Sequence, residues 1–330
     1  MVDRLRFGVF SGDPARIMFG PLWIGLERGY FADAGVEIEV VISDVRIGAA
    51  DDPIDLECSS VGDLARRAVA GVEVVSVASQ EQWRDGRGLT PLCTRREMLD
   101  RGALTDDLAS VRGKRIGVET GGSDRLGQGK MRPEPDFIYV YYLLKHAGLS
   151  LDDITLVNTP HRRAHDDLQN GVVDLINAPR PRKVIEGEDA GWLARWKEAW
   201  EVAPRQGRSC IVKRAFAEQH PEAVQGFVTG WIRAGRDYLD AIVKGQGREA
   251  MMDLLVRHSG ETRRVVERMS PLGVSPDGRV DVASMQHDAD LWAEHGLIDG
   301  RPDMASMVDM SYVDRALAQL GPYRTPGEER

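Results

Sequence analysis

Apolar and polar positions alternate most legibly over residues 21–40, Pro-Leu-Trp-Ile-Gly-Leu-Glu-Arg-Gly-Tyr-Phe-Ala-Asp-Ala-Gly-Val-Glu-Ile-Glu-Val. The first part predicts a helix that begins on Pro21 and stops near Gly29. Proline at a first helical position and glycine just past an end are the signals for each event. A turn at Asp33-Ala34-Gly35 follows, then a strand over 36–40 in which apolar and acidic residues alternate. Upstream, Leu5-Arg6-Phe7-Gly8-Val9-Phe10 reads as a buried strand and Ser11-Gly12-Asp13-Pro14 as a polar loop. Strand, loop, helix and strand begin an α/β sheet, where ligands bind at loops leaving the carboxyl ends of strands.

The alternation continues. A strand over 54–58 leads into Ser59-Ser60 and a helix over 61–70. Val61, Leu64, Ala65, Ala68 and Val69 share one helix face, Ser60 is the N-cap, Asp63 sits in the first turn and Gly71 follows the end. A strand over 72–78 precedes a polar segment, 79–88, that contains Trp83 and Arg84. A short helix and turn over 105–114 then deliver the chain into a fresh strand at 115–119. A second α/β run follows: a loop over 120–135 rich in glycine, proline and charge, a helix over 136–147, a strand over 154–158, a helix over 163–169 and a strand over 172–177. After Pro204 a strand over 209–213 returns to the first lobe. Helices are expected at 221–242, 249–258, 261–269, 282–295 and 312–320, with a loose tail at 325–330. The division expected is lobe I at 1–94 and 204–330, and lobe II at 95–203.

The 330 residues exceed what one core usually organises, which agrees with two lobes. A formal charge of −9 argues against nucleic acid or an anionic membrane surface as partner, while leaving a small anion open. Cys58, Cys93 and Cys210 each lie in or beside an apolar run and read as buried free thiols rather than a disulfide framework. Residues 1–4 lead into the first strand without an apolar signal segment, and no run approaches the ~20 apolar residues that span a bilayer. The expectation is a monomer without membrane insertion, cytoplasmic as written and extracytoplasmic if the chain is a trimmed mature form.

Several phrases occur together in order: residues 21–40, Val111-Arg112-Gly113-Lys114-Arg115-Ile116-Gly117-Val118, Asn170-Gly171-Val172-Val173-Asp174, the stretch 214–224, and the stretch 309–320. In this the chain resembles the type II periplasmic-binding-protein superfamily, in particular the sulfonate, taurine and nitrate receptors of ABC importers. The yeast thiamine-pyrimidine synthases share that fold. The resemblance implies a two-lobed α/β fold, each lobe a mixed sheet flanked by helices, with a helical C-terminal region. It also implies a ligand cleft between the lobes that closes by hinge motion, no cofactor, and an ABC permease partner if the protein is exported.

Projected onto that fold, the cleft is lined by Ser11, Asp13 and Arg16, by Ser59 and Ser60, by Trp83 and Arg84, by Thr120, Gly121, Gly122 and Ser123, and by Asn177 and Arg180. A hydroxyl pair at a helix N-terminus suits a sulfonate or carboxylate oxygen, with simple capping by Ser60 as the alternative. The arginines suit an anionic group through their planar forks, or else are surface side chains. Trp83 either stacks on the ligand or is a structural tryptophan. Segment 120–123 lacks the spacings of nucleotide loops, and 124–135 is either a lid or an exposed excursion. His161 and His165, four apart, invite a metal reading, but adjoining arginines and Pro160 favour a solvated helix start.

The rival to a receptor is a cytoplasmic enzyme on the same fold, related to the desulfinases, decarboxylases or pyrimidine synthases. Asp13 or Glu119 would then be the acid or base. The nucleophilic cysteine that desulfinases carry after the first strand is missing from Ser11-Gly12-Asp13-Pro14, and no cysteine-rich iron-binding run adjoins Cys210. Binding of a small anionic organic molecule is the more economical reading.

Overall fold

In the structure, a computed structural model that describes residues 3–10, 16–43, 45–49, 51–119, 138–178 and 180–324, the chain divides into two compact units. The first comprises Met1–Gln82, Gln206–Glu267 and Leu272–Arg330, the second Trp83–Arg205 with Arg268–Pro271.

The first unit opens with β1 (Asp3–Phe10), α1 (Gly20–Glu27), α2 (Tyr30–Asp33) and β2 (Val36–Ser43). Pro21 lies in the first turn of α1, and Gly29 beyond its end takes the left-handed φ of 73° that stops it. The extra short helix α2 forms because Phe31 turns inward and stacks on Phe227, with ring centroids 5.7 Å apart. Next come β3 (Leu56–Ser60), α3 (Val61–Val69) and β4 (Val74–Trp83). β4 runs through the segment that reads as polar, where some of its buried polar groups find a partner in Gln206. The Gln206 side-chain amide donates to Ser79 Oγ at 2.9 Å and to the Glu81 carbonyl at 3.0 Å.

The second unit contains β5 (Leu92–Arg95), α4 (Arg96–Asp100), β6 (Arg115–Val118), α5 (Tyr139–Ala147), β7 (Thr155–Asn158), α6 (Ala164–Gln169), β8 (Leu175–Asn177), α7 (Pro181–Asp189), β9 (Leu193–Lys197) and α8 (Ala199–Val202). Its sheet order is β7-β6-β8-β5-β9. β6 is parallel to both β7 and β8, and β5 is antiparallel to β8 and β9. Alternation along β8 sends Leu175 to one core, with Val118, Tyr139 and Trp196, and Ile176 to another, with Ala164, Leu168 and Val184.

The chain returns to the first unit through β10 (Arg205–Lys213) and α9 (Arg214–Gln219). α10 (Pro221–Ile242), α11 (Arg248–Ser259), α12 (Arg263–Arg268), α13 (Val282–Glu294) and α14 (Ser311–Leu320) follow. The first sheet has the order β2-β1-β3-β10-β4, with β1 parallel to β2 and β3, and β10 antiparallel to β3. α10 covers it, placing Phe227 and Trp231 against Phe7 with centroids 5.8 and 6.3 Å apart. Both sheets are mixed and flanked by helices, the α/β class that the alternation predicts.

The two units share one device. Arg6 donates to Asp55 from its backbone N–H, Nε and Nη2 at 2.9, 3.0 and 2.7 Å. Arg115 makes the same three bonds to Asp174 at 2.9, 3.1 and 2.9 Å. Arg115 and Asp174 belong to two of the phrases that carry the sequence resemblance, and the clamp joins them in space. Burial works to raise the Asp174 pKa, but hydrogen bonds from Arg115 and Arg95 outweigh it and hold the carboxyl below the usual range.

Candidate functional site

Carboxyl ends of parallel strands mark the candidate site in each unit. In the first, β3 ends on Ser59-Ser60, both buried. Ser60 caps α3 as expected, its Oγ accepting from the Asp63 N–H at 3.1 Å. The Ser59 hydroxyl donates to Asp63 Oδ2 at 2.8 Å. Arg67, one turn on, pairs with Asp63 at 3.1 Å and with the fully buried Glu57 at 2.6 Å. Burial alone would raise the Asp63 pKa; the Arg67 charge and the Ser59 hydrogen bond reverse this and lower it. Both serine hydroxyls are therefore engaged with Asp63, and what α3 still presents at its start is backbone N–H.

Arg16 is exposed at the start of a 3-10 turn, Arg16–Phe19, and its carbonyl accepts from Trp23 Nε1 at 2.8 Å. Trp83 is buried in the core of the second unit with Leu92, Tyr139 and Trp196, and the Arg205 guanidinium lies 5.3 Å above its ring. Arg84 opens a tight turn closed by backbone bonds to and from Arg87 at 3.1 and 3.0 Å. Ser11, Asp13, Thr120, Gly121, Gly122, Ser123 and the 124–135 loop lie outside the described residues.

In the second unit three parallel strands end side by side: β6 at Val118 before Glu119, β7 at Asn158 before Thr159, and β8 at Asn177. The helices after β7 and β8 start at the same end, bringing His165 of α6 and Arg180, the residue before α7, to this edge. Gly117 lets the edge close up, because a Cβ there would sit only 3.1 Å from Thr159 Oγ1 and from Ile176 Cγ2. Glu119 pairs with His161 at 3.2 Å.

Several polar atoms are left over along this edge. Thr159, His165 and Asn177 are 2%, 6% and 7% exposed. Thr159 Oγ1, His165 Nε2, Asn177 Oδ1 and Arg180 Nε have no hydrogen-bond partner among the described residues. Burial, then the charges of Arg180 and Lys183, push the His165 pKa down to about 4, against partial compensation from Asp166 and Glu186. The imidazole is neutral at ordinary pH. This corrects the solvated helix start expected over 161–167: His161 lies in a turn ahead of α6, while His165 faces inward. Thr159 is absent from the sequence-based candidates although its signal is that of Ser59, a hydroxyl directly after an apolar strand.

Cys58, Cys93 and Cys210 are free and buried within β3, β5 and β10, as their apolar surroundings predict. Among the described residues no helix is long and apolar enough to cross a membrane.

The whole-chain comparisons agree with this architecture. The periplasmic aliphatic sulphonate binding protein SsuA from Escherichia coli is 18% identical, with 92% of this chain and 97% of that one covered at a TM-score of 0.67. The periplasmic nitrate-binding protein NrtA from Synechocystis PCC 6803 is 12% identical, with 97% and 89% covered at 0.70. The desulfurization enzyme DSZB is 17% identical, with 96% and 99% covered at 0.65. No curated protein matches the sequence. At these identities the likeness is one of fold. The sequence profile described as NMT1/THI5 like matches residues 17–240, more than half of the chain, and the chain belongs to that family.

Proposed function

We propose that this protein binds a small organic molecule bearing a carboxylate or sulfonate at the strand-end edge of the second unit. The observation that carries the reading is the set of buried polar atoms on Thr159, His165, Asn177 and Arg180 that have no partner among the described residues. A buried polar group without a partner costs about 1–3 kcal/mol, so a ligand that satisfies several at once recovers much of that cost on binding. Arg180 and Lys183 give the edge positive character, and Arg180 presents Nε to an oxyanion oxygen. The Thr159 hydroxyl supplies a second donor, and Asn177 can present either end of its amide.

Neighbours named as sulfonate- and nitrate-binding proteins support the anionic choice. Their names, both of which include periplasmic, also favour action outside the cytoplasm over the cytoplasmic expectation, with an ABC permease as the partner that the sequence resemblance implies. The likeness to DSZB keeps turnover as the second reading, in which Glu119 beside His161 is the described candidate for acid–base work.

A thermal-shift screen of sulfonates, aromatic acids and pyrimidine precursors, with mass-spectrometric product analysis on each hit, tests both readings. The binding reading expects a ligand-dependent rise in Tm and an unchanged ligand. Arg180→Ala should weaken the hit about 10- to 100-fold. A chemically altered hit gives the function to the enzyme reading. Unchanged affinity in both Arg180→Ala and Thr159→Val removes the anion site.

A further inference from the structure

β3 and β10 run antiparallel in a register that sets Cys58 directly across from Cys210. Directly opposed residues in such a ladder have Cα atoms about 4.5 or 5.5 Å apart, according to the kind of pair, and both values lie in the range a disulfide spans. The two Sγ atoms are 3.9 Å apart, so the side chains already face one another. Rotation about the Cα–Cβ bonds and a small strand adjustment are all that a bond requires. Both thiols are buried, whereas Cys93 stands by itself in β5 of the second unit. The next pair in the ladder is Ser59 opposite Ser209, so a bond at Cys58 would fix the strand that ends on Ser59-Ser60.

We propose that Cys58 and Cys210 form a reversible disulfide that locks β3 to β10 when the protein meets a disulfide oxidant such as oxidised glutathione. The thiolate of one cysteine attacks the glutathione disulfide, forming a mixed disulfide and releasing one reduced glutathione. The second thiolate then attacks the cysteine sulfur of that mixed disulfide, forming the Sγ–Sγ bond and releasing a second glutathione. The two thiol protons pass to the two glutathione thiolates, and the two electrons reduce the oxidant. Burial and the neighbouring Cys58 raise the Cys210 pKa well above its ordinary value, so the folded ladder reacts slowly and oxidation waits on local opening. The bond would join residues 152 apart in sequence and enclose all of Trp83–Arg205. A cross-link over so long a loop restricts the unfolded chain strongly, so the oxidised form should melt higher.

The test incubates the full chain with oxidised glutathione, with and without a sub-denaturing concentration of urea, then alkylates it and maps peptides by mass spectrometry. Expected are a loss of two hydrogens, a Cys58–Cys210 cross-linked peptide, one alkylatable thiol where the reduced, unfolded chain has three, and a Tm several degrees higher that reducing agent reverses. Cys93→Ser should oxidise as the parent does, and Cys58→Ser should not form the bond. Three alkylated thiols after prolonged exposure in urea, stable glutathione adducts, a bond involving Cys93, or an unchanged or lowered Tm would each overturn the proposal.

Discussion

The two units end their parallel strands differently. At the end of β3 the charged side chains are paired: Ser59 and Ser60 engage Asp63, and Arg67 joins Asp63 to Glu57, with Arg67 Nη1 and Ser209 Oγ left over among the described residues. At the ends of β7 and β8, Thr159, His165, Asn177 and Arg180 keep buried polar atoms without partners among the described residues. The opposite ends of the same sheets are alike, each tied by an arginine that makes three bonds to one aspartate. The difference teaches that polarity at a strand end is not in itself a ligand signal. A network of paired charges stabilises the fold, whereas a buried deficit is a cost that a bound partner can remove.

The strongest way to break this comparison is to open the network of paired charges. Arg67→Ala leaves Glu57 and Asp63 without their shared cation and should cost about 3–5 kcal/mol in urea unfolding. A loss below about 1 kcal/mol would mean that this end is not held by its ion pairs.

The next effect is pH dependence in the second unit. The His165 pKa is lowered from 6.5 to about 4, so the unfolded chain binds the proton more readily between those values. Stability is then full above about pH 6.5, declines as pH falls, and carries the whole penalty, of order 3 kcal/mol, below about pH 4. In Tm measurements across this window His165→Gln should flatten the decline, and an unaltered slope would place the titrating group elsewhere. The lowered pKa of Asp63 acts in the same direction at more acid pH: its contribution is present above the unfolded carboxylate range and disappears as pH falls through the folded value.

Thr159→Val sharpens the comparison because its two readouts should diverge. Without ligand it removes an unpartnered buried hydroxyl and should leave Tm unchanged or slightly raised. With ligand it should cost about 1–2 kcal/mol of affinity by titration calorimetry. Destabilisation of the free protein by more than that would show that the hydroxyl has a structural partner. The smallest effect is expected for Ser60→Ala, about 1 kcal/mol of stability from the lost α3 cap. A much larger loss would give Ser60 a role beyond capping.

Features carried by neighbouring residues were legible without coordinates. The bounds of α10, Pro221–Ile242, follow from its starting proline and apolar spacing, and the Ser60 cap from a serine ahead of an amphipathic run. The apolar pattern of β4 stops at Ala78 because its outer half is polar in sequence, and the five residues of β9 carry too little pattern to predict a strand. The solvated helix start expected at His161 and His165 holds for neither residue fully, since His161 faces Glu119 and His165 is buried.

The sequence by itself determined the α/β class, most of the long strands and helices, the Ser60 cap and the apolar settings of the cysteines. These depend on local propensity, periodicity and burial, which act over a few residues. Only the tertiary structure decided which polar groups are satisfied. The partners lie far apart in the chain, as Arg6 and Asp55 do at 49 residues or Arg115 and Asp174 at 59, and hydrogen bonding responds to distance in space.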